Sequence, residues 1–236
     1  MTRPVFLGVV GDSAAGKTTL TRGIVRILGN HGVSHISGDD YHRYGRRQRA
    51  ELEITPLDPA ASHLDIMRQH LEHLRRREPI LKPVYDHRSG TLGTPEYVRP
   101  NPYVVVEGLL GYHSEQLRDA HDIRVFLSPP EELRRTWKVT RDCTRRGYTT
   151  HEVLAELDRR ERDVETYISP QRAHADIVVS FMPSSGRDPA GQNPERLDAH
   201  LILRDTLRHP DLSPILGPDG EGPALIRRER ESLLRI

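Results

Sequence analysis

The residues from Gly11 to Thr19 have the types and spacing of a phosphate-binding loop, G-x-x-x-x-G-K-T. In such a loop the two glycines let successive backbone N–H groups point into one concavity, where they bind phosphate oxygens. Lys17 can then reach the outer phosphates, and the Thr18 hydroxyl can ligate Mg²⁺. A glycine-rich turn in an ordinary α/β domain is the alternative. We expect a nucleoside triphosphate to bind here, held by Gly11, Asp12, Ser13, Ala14, Ala15, Gly16, Lys17, Thr18 and Thr19.

The segments on either side of this loop are the elements that would position it. Val5–Val10 is a short apolar run, which predicts a buried strand. Apolar residues recur at helical spacing from Leu20 to Leu28, and the pattern stops at Gly29, as is typical of a helix C-terminus. The order strand, loop, helix is the order that phosphate binding at a helix N-terminus requires.

A second polar cluster follows the next predicted strand, Val33–Ser37, and contains Asp39, Asp40, His42 and Arg46. Open parallel sheets bind their ligands at the carboxyl ends of strands. An aspartate there can accept the proton of an attacking hydroxyl, or hold Mg²⁺ through water. The alternative is a polar turn with solvated charges, which would be the better interpretation if the phosphate-binding loop were missing.

Two later segments carry groups that suit phosphate and hydroxyl ligands. Lys82, Tyr85 and His87 lie in a predicted loop or hairpin. The β-branched run Tyr103–Gly108 predicts a buried strand that ends in the carboxylate of Glu107. An acidic residue in that place lies near Mg²⁺ and the γ-phosphate in phosphate-binding-loop enzymes.

A helix predicted from Pro130 to about Arg145 has four basic residues on one face, at i, i+4, i+7 and i+11: Arg134, Lys138, Arg141 and Arg145. A solvated basic stripe is the ordinary explanation of such a pattern. The alternative is a lid, ending near Arg146, whose arginines close over the phosphates and offset the charge of the transferring phosphoryl group.

Lysine is rare in this chain: of 35 basic residues only Lys17, Lys82 and Lys138 are lysines. A lysine ammonium is a compact charge on a flexible stem, which suits phosphate binding. Because Lys17 lies in the phosphate-binding loop, we consider the other two as ligand-binding candidates. Chance retention of three lysines is an equally good explanation.

Composition excludes several classes of function. The formal net charge is +1 in 236 residues, so we expect no nucleic-acid partner. No apolar run approaches the length that spans a membrane, and the N-terminus enters a strand at once, so we expect neither a signal peptide nor a membrane partner. The single cysteine, Cys143, fits a reducing cytosol. We therefore expect a cytoplasmic protein.

The remaining patterns complete an α/β chain. They predict helices over Ser62–Arg77 and from Thr150 to about Ile168, and strands at Ile123–Leu127, Ala175–Val179 and Leu201–Leu203. Proline and glycine become more frequent from Pro183 onward, for example at Ser184–Gly186 and Pro218–Gly222. After about Leu207 no core periodicity is evident, so we interpret the tail as a marginal appendage.

Taken together, the motifs resemble those of the phosphoribulokinase and uridine kinase family, and within it the cyanobacterial and plant branch of the phosphoribulokinases. The resemblance runs from about Arg3 to Ser184. Its ordered matches are Gly11–Thr19, Gly38–His42, Leu57–Pro59, Lys82–His87 with Ser89–Gly90, Val106–Gly108, Trp137–Asp142, Arg146–Gly147, Tyr167–Gln171 and Ala175–Asp176.

The resemblance implies a fold and an activity. The fold is an α/β, P-loop NTPase-type three-layer sandwich with a mainly parallel central sheet and a helical lid. Residues 1–184 form the kinase core, and residues 185–236 form a short C-terminal extension that is truncated relative to the family. The implied reaction uses ATP and Mg²⁺ to phosphorylate the 1-hydroxyl of ribulose 5-phosphate. The implied partner is thus a small-molecule phosphate acceptor, and a homo-oligomer is also possible.

The resemblance also implies roles for individual residues. Asp39 matches the catalytic base, and Glu107 matches the second acidic residue, which with Thr18 would hold Mg²⁺. Lys17, Lys138 and Arg141 would offset the charge of the transferring group. The acceptor would be bound by Asp39, His42, Arg46, Lys82, Tyr85, His87 and Arg146.

This chain departs from the family near the acceptor. Gly45 stands where an acidic residue is usual, Leu110–Tyr112 replaces His-Pro-Phe-Tyr, and Glu161–Arg162 replaces Lys-Pro. Ser13–Ala15 lacks the regulatory cysteine of the plant enzymes, so we expect no thiol–disulfide control. Two other functions stay open: a nucleoside kinase of the uridine kinase type, and a non-catalytic nucleotide-binding regulator.

Overall fold

The computed structural model describes residues 3–183, 197–208, 211–212, 224–227 and 231–235. The strands are β1 (Val5–Gly11), β2 (Val33–Ser37), β3 (Ile80–Lys82), β4 (Tyr85–Asp86), β5 (Thr91–Leu92), β6 (Glu96–Val98), β7 (Tyr103–Gly108), β8 (Ile123–Leu127), β9 (Ile177–Pro183), β10 (Leu197–Arg204), β11 (Ala224–Arg227) and β12 (Glu231–Arg235). The α-helices are α1 (Lys17–Leu28), α2 (Arg46–Glu51), α3 (Leu64–Arg75), α4 (Glu115–Asp119), α5 (Glu131–Arg146) and α6 (Thr150–Asp163).

An eight-stranded sheet with the order β11-β12-β10-β9-β8-β1-β7-β2 forms the centre of the molecule. The strands from β2 to β9 in this order pair in parallel, with Val9 of β1 between Glu107 of β7 and Val125 of β8. The strands β10, β12 and β11 add antiparallel pairs at the other edge. The prediction of a mainly parallel sheet is confirmed.

Apolar side chains alternate along the strands and cover both faces of the sheet. Phe6 packs with Met67 and Leu71 of α3 on one face. Val9 packs with Leu20 and Ile24 of α1 on the opposite face. Helices therefore lie on both sides of the sheet, and the predicted three-layer α/β sandwich is confirmed.

The helical lid consists of α5 and α6, which pack against each other. Gly147, with φ at 75°, ends α5 in the left-handed conformation that favours glycine. Thr149 then caps α6 in a reciprocal capping box with Glu152. The helix predicted to reach Ile168 is α6 followed by a π-helical turn at Val164–Ile168.

The C-terminal part of the chain has more regular structure than its sequence pattern predicts. Leu201 of β10 lies between Val179 of β9 and Leu234 of β12. The described part of the predicted extension therefore continues the sheet of the core. The stretches Ser184–Gly186 and Pro218–Gly222 lie outside the described residues, and the division of the chain at residue 184 stays a prediction.

Within the described residues, helices fall short of the length and apolar character that a membrane span requires.

Candidate active site

The phosphate-binding loop joins β1 to α1, as its sequence predicts. Gly16 has φ at 94° and Ala14 has φ at 65°, so the backbone curls through the left-handed region at both positions. A Cβ at Gly11 would lie 2.7 Å from the backbone oxygen of Leu127, so only glycine fits against the neighbouring strand. The loop therefore presents its N–H groups at the N-terminus of α1, where the helix dipole favours anions.

The ammonium group of Lys17 lies inside the loop. Its Nζ donates hydrogen bonds to the backbone oxygens of Gly11 at 2.9 Å and Asp12 at 2.8 Å. Burial lowers the pKa of Lys17 below its ordinary value, although the carboxylates of Asp39, Asp12 and Glu107 oppose this shift. The charge of Lys17 is thus held next to the place where phosphate oxygens would bind.

Two arginines of helix α5 contact the phosphate-binding loop. The guanidinium of Arg134 contacts the Asp12 carboxylate at 2.7 Å and donates to the Ser13 backbone oxygen at 3.1 Å. Arg141 Nη2 donates to the Ser13 hydroxyl at 3.2 Å. Arg134 and Lys138 are buried, so the interpretation of this helix face as a solvated basic stripe is wrong for these two residues, while Arg145 is exposed. The i, i+4 spacing could not distinguish a face that packs on a loop from one that faces water.

Two oxygen ligands suited to Mg²⁺ meet at the ends of α1 and β7. Thr18 Oγ1 donates to Glu107 Oε1 at 3.2 Å, and Glu107 Oε2 is buried without a hydrogen-bond partner. Burial favours the neutral form of Glu107, but His35, Thr21 and Lys17 outweigh it and lower the pKa of the carboxyl. An ionised carboxylate with a free, buried oxygen beside a hydroxyl fits a hard cation.

Asp39 lies in the 3-10 turn Gly38–Tyr41, at the carboxyl end of β2. Its Oδ2 is 3.5 Å from Nε2 of His87. Burial would raise the pKa of Asp39, but His42, Lys17, His87 and Arg146 together lower it below the ordinary value. Asp39 is therefore an ionised carboxylate at neutral pH and can accept a proton.

The neighbouring Asp40 has a different place. Both of its oxygens are engaged, because Oδ2 accepts from Lys82 Nζ at 2.5 Å and Oδ1 accepts from the Tyr85 N–H at 2.9 Å. Lys82 is only 4% exposed and does not lie on the wall of the main cavity. Lys82 was predicted to bind the acceptor, but the structure places it away from the cavity, in an ion pair with Asp40. This ion pair fixes the start of the β4–β5 hairpin.

Aromatic rings form the wall beyond Asp39. The Tyr85 ring contacts His42 and His87 edge-to-face, with centroid distances of 4.8 Å and 5.1 Å. Arg49 Nη2 donates to the Tyr85 hydroxyl at 2.8 Å, and its guanidinium lies over the same ring. Burial lowers the pKa of His42 to about 4, so His42 is neutral at pH 7. Sequence reasoning missed Arg49, since the run Arg46–Arg49 gives no local sign of which arginine is buried.

The two arginines predicted to bind the acceptor's phosphate belong to different helices, α2 and α5, and both line the cavity. Arg46 Nη2 donates to the backbone oxygen of His87 at 2.6 Å, and its guanidinium lies 5.9 Å from the ring centre of Tyr148. Arg146, at the end of α5, contacts Asp142 at 3.4 Å. Both guanidinium groups keep unused N–H donors, because each has five.

Lys138 differs from its predicted position. Its side chain is 2% exposed, and its Nζ lies 2.8 Å from Asp142 Oδ2 and 3.8 Å from Glu156 Oε1. It does not line the main cavity. Asp142, whose carboxyl also accepts from Arg141, has a pKa lowered to about 2, because hydrogen bonds from Arg141 and Lys138 outweigh the effect of burial. In the structure, Lys138 is thus the ion-pair partner of Asp142 within the lid.

One cavity of about 2040 Å³ connects these groups. It lies between the carboxyl ends of the strands, the β4–β5 hairpin and the lid. Its volume exceeds the roughly 300–1,000 Å³ that is usual for one small-molecule ligand, so two ligands can share it. Of the predicted site residues, the cavity wall includes Ser13, Ala14, Gly16, Lys17, Thr18, Thr19, Asp39, His42, Arg46, Tyr85, His87, Glu107, Arg141 and Arg146. The wall does not include Gly11, Asp12, Ala15, Lys82 or Lys138.

A three-layer sandwich with a phosphate-binding loop, an adjoining carboxylate and a helical lid over a shared cavity defines the class of the P-loop kinases. The sequence profile of the phosphoribulokinase / uridine kinase family matches residues 6–186, most of the chain. The protein belongs to this family, as the resemblance predicted.

The similar proteins include both phosphoribulokinases and uridine kinases. Phosphoribulokinase of Synechocystis sp. is 38% identical over 182 residues, which cover 77% of this chain and 55% of that protein. Chloroplastic phosphoribulokinase of Arabidopsis thaliana is 28% identical, and the match covers 56% of that protein. Uridine kinase of Bacillus pumilus is 30% identical over 79% of this chain and 89% of that protein. The chain thus spans little more than half the length of these phosphoribulokinases.

Solved structures confirm the fold. Phosphoribulokinase from Rhodobacter spheroides superposes with a TM-score of 0.73 at 20% identity, over 99% of this chain and 90% of that chain. A possible uridine kinase from Bacillus stearothermophilus gives a TM-score of 0.54 at 19% identity, over 75% of this chain.

Proposed function

We propose that this protein uses Mg²⁺ and ATP to transfer the γ-phosphoryl group to a hydroxyl of a sugar phosphate, converting ribulose 5-phosphate to ribulose 1,5-bisphosphate. The observation that carries the proposal is the single cavity that joins the phosphate-binding loop, the Asp39 carboxylate and a wall rich in arginine and histidine. A phosphoryl donor and a charged acceptor can meet there with the acceptor hydroxyl between Asp39 and the γ-phosphate.

Asp39 is the proposed base. Its lowered pKa keeps it ionised at neutral pH, so it can orient the acceptor hydroxyl and take its proton as the oxygen attacks phosphorus. The bond from the β–γ bridging oxygen to phosphorus then breaks and leaves ADP. Because proton transfer is late in a loose transition state, a carboxylate of low basicity is sufficient.

Lys17 and Arg141 are placed to offset the charge of the transferred group. Both line the cavity at the loop, and Arg141 reaches Ser13 from the lid. Thr18 and Glu107 would hold Mg²⁺ through the hydroxyl and the buried, unpartnered Oε2. When bound, Mg²⁺ supplies further positive charge at the phosphate oxygens. In this proposal Lys82 and Lys138 act through Asp40 and Asp142, by fixing the hairpin and the lid.

The acceptor's own phosphate is assigned to Arg46, Arg146 and neutral His42. The two arginines have N–H groups to spare for a phosphate, and His42 adds a neutral donor. The kinship with the Synechocystis phosphoribulokinase supports an anionic acceptor. An uncharged acceptor, such as uridine, would not need this cluster of charges, so the charge of the acceptor is the feature to test.

The test is the acceptor KM of Arg146→Ala. We expect the KM for ribulose 5-phosphate to rise at least tenfold while the KM for ATP changes less than threefold, because each charge-assisted hydrogen bond lost is worth roughly 1.5–3 kcal/mol. Arg26→Ala is the control, since Arg26 is exposed on α1 and lies outside the cavity wall. An unchanged acceptor KM in Arg146→Ala would contradict the assignment of the phosphate.

A further inference from the structure

An aromatic pair lies on the part of the cavity wall that the proposed reaction leaves unused. Trp137 of α5 and Phe181 of β9 meet edge-to-face, with ring centroids 5.9 Å apart and an interplanar angle of 64°. Both side chains line the cavity and both are half-buried. Leu133 and Leu197 extend this apolar stretch of the wall.

Packing in the core accounts for Phe181 but not for Trp137. Phe181 packs against the apolar cluster on the α1 face of the sheet. Trp137 belongs to none of the three apolar clusters found among the described residues. A large aromatic ring on a lid helix, half-buried in a cavity that is otherwise rich in charged groups, keeps apolar surface available to a ligand.

The aromatic pair Trp137 and Phe181 lies next to the phosphate-binding loop. A Cβ at Gly16 would lie 3.5 Å from the Phe181 ring, so Phe181 borders the end of the phosphate-binding loop. The cavity also runs along the first two turns of α1, past Thr19 and Arg22. A nucleotide whose phosphates sit in the loop can therefore reach the aromatic pair within the same cavity.

We propose that Trp137 and Phe181 form the nucleobase platform of this enzyme, with the base of ATP stacked against the tryptophan ring. The proposal rests on the proposed function only in requiring that the chain binds a nucleotide. Stacking removes the facing surfaces of the base and the aromatic ring from water and needs no hydrogen-bond pattern specific to one base. The platform would thus contribute affinity for the nucleoside part, separately from the loop that binds the phosphates.

The chain offers a direct probe, because Trp137 is its sole tryptophan. Titration of the wild-type protein with ADP should change the intrinsic fluorescence in a saturable way. Inorganic tripolyphosphate, which has phosphates and no base, should bind by calorimetry with little change in fluorescence. An equal fluorescence change with both ligands would mean that Trp137 senses only closure over phosphates, and it would overturn the proposal.

Two substitutions separate stacking from closure. By calorimetry, Trp137→Ala should weaken ADP binding roughly 5- to 100-fold, the range expected for loss of one base–aromatic stack, and leave tripolyphosphate affinity within twofold. Phe181→Leu keeps most of the apolar volume and should weaken ADP binding less. The control is Tyr97→Leu, an exposed aromatic on β6 outside the cavity, which should alter neither affinity.

The outcomes distinguish this inference from the proposed function. ADP affinity that survives both substitutions unchanged would overturn the platform and leave the kinase proposal intact. Tight, tryptophan-dependent ADP binding without phosphorylation of any acceptor would support the platform and overturn the kinase proposal. If the wild-type protein binds no nucleotide, both are overturned.

Discussion

Lys138 Nζ donates a hydrogen bond to Asp142 Oδ2 across 2.8 Å, and both side chains are at most 2% exposed. The same carboxylate accepts from Arg141 Nε at 2.8 Å and contacts Arg146 at 3.4 Å. One carboxylate thus organises three cations of the lid. Two of them, Arg141 and Arg146, line the cavity, so their positions over a ligand depend on a residue that does not itself reach it.

We expect Asp142→Asn to destabilise the fold by roughly 3–5 kcal/mol, since it removes the ionised hydrogen-bond partner of the buried Lys138 and leaves only the more distant Glu156 carboxylate, at 3.8 Å. Urea unfolding measures this free energy. Asp158→Asn is the matched control, because Asp158 pairs with Arg135 at an exposed position and such pairs contribute at most about 1 kcal/mol. Equal losses in the two variants would show that the buried network adds no stability of its own.

Substitution of the proposed base should separate catalysis from binding. Asp39→Asn removes the proton acceptor and keeps the shape of the side chain, so we expect kcat to fall at least about a thousandfold, roughly 4 kcal/mol. ADP affinity should change less than threefold. Asp65→Asn, at an exposed position in the first turn of α3, should keep wild-type kcat. A loss below about tenfold in Asp39→Asn would remove Asp39 from that role.

Arg49 should act on the acceptor side through Tyr85. In Arg49→Lys the positive charge remains, but the planar guanidinium that bonds the Tyr85 hydroxyl and covers its ring is lost. We expect the acceptor KM to rise by roughly three- to tenfold, about 0.6–1.4 kcal/mol, with the ATP KM unchanged. Steady-state kinetics with each substrate varied in turn make the measurement. A matching rise in the ATP KM would point instead to a general distortion of the cavity.

The buried His121 should make stability sensitive to acid. Its Nδ1 donates to the Leu117 backbone oxygen at 2.8 Å, its Nε2 has no partner, and burial lowers the pKa to about 4 from 6.5. Between these two pH values the unfolded chain binds a proton that the folded protein does not, so the free energy of unfolding falls as pH decreases. The stability contributed by the neutral His121 imidazole is fully present above pH 6.5 and is lost as the pH falls to about 4. The total loss in the free energy of unfolding is at most about 3 kcal/mol.

Comparing pH series of urea unfolding for wild type and His121→Gln isolates this contribution. The variant should lose less stability than the wild type from pH 7 to pH 4. His31→Gln, at an exposed position, should follow the wild-type curve. Parallel curves for wild type and His121→Gln would contradict the role of the buried imidazole.

Local sequence patterns were sufficient for β1, the phosphate-binding loop and α1, because hydrophobic periodicity predicts the strand and the helix, and the spacing of the glycines and Lys17 predicts the loop. The same patterns could not show whether a given lysine pairs with a carboxylate of the protein or with a bound phosphate. The scarcity of lysine made Lys82 and Lys138 ligand-binding candidates, whereas the structure pairs both with carboxylates of the protein, and neither lysine lies on the cavity wall. A buried carboxylate and a bound phosphate impose the same requirement on a lysine. Only the tertiary structure distinguishes them, through Asp40 and Asp142.

Other features depended on contacts between distant segments. Arg49 is recognisable only from its contact with Tyr85, 36 positions later in the chain. The strands β11 and β12 are short antiparallel additions at a sheet edge, and such strands give a weak periodic signal. The roles assigned to the site residues stay predictions until the variants are measured.

The most direct measurement of the central claim is ADP release from Mg²⁺ and ATP in the presence of ribulose 5-phosphate, ribose 5-phosphate, uridine or no acceptor. We predict strong stimulation by ribulose 5-phosphate alone. Stimulation by uridine instead would assign the protein to the nucleoside kinases and contradict the anionic acceptor site. Release that is the same with every acceptor and with none would contradict the proposed kinase activity towards these molecules.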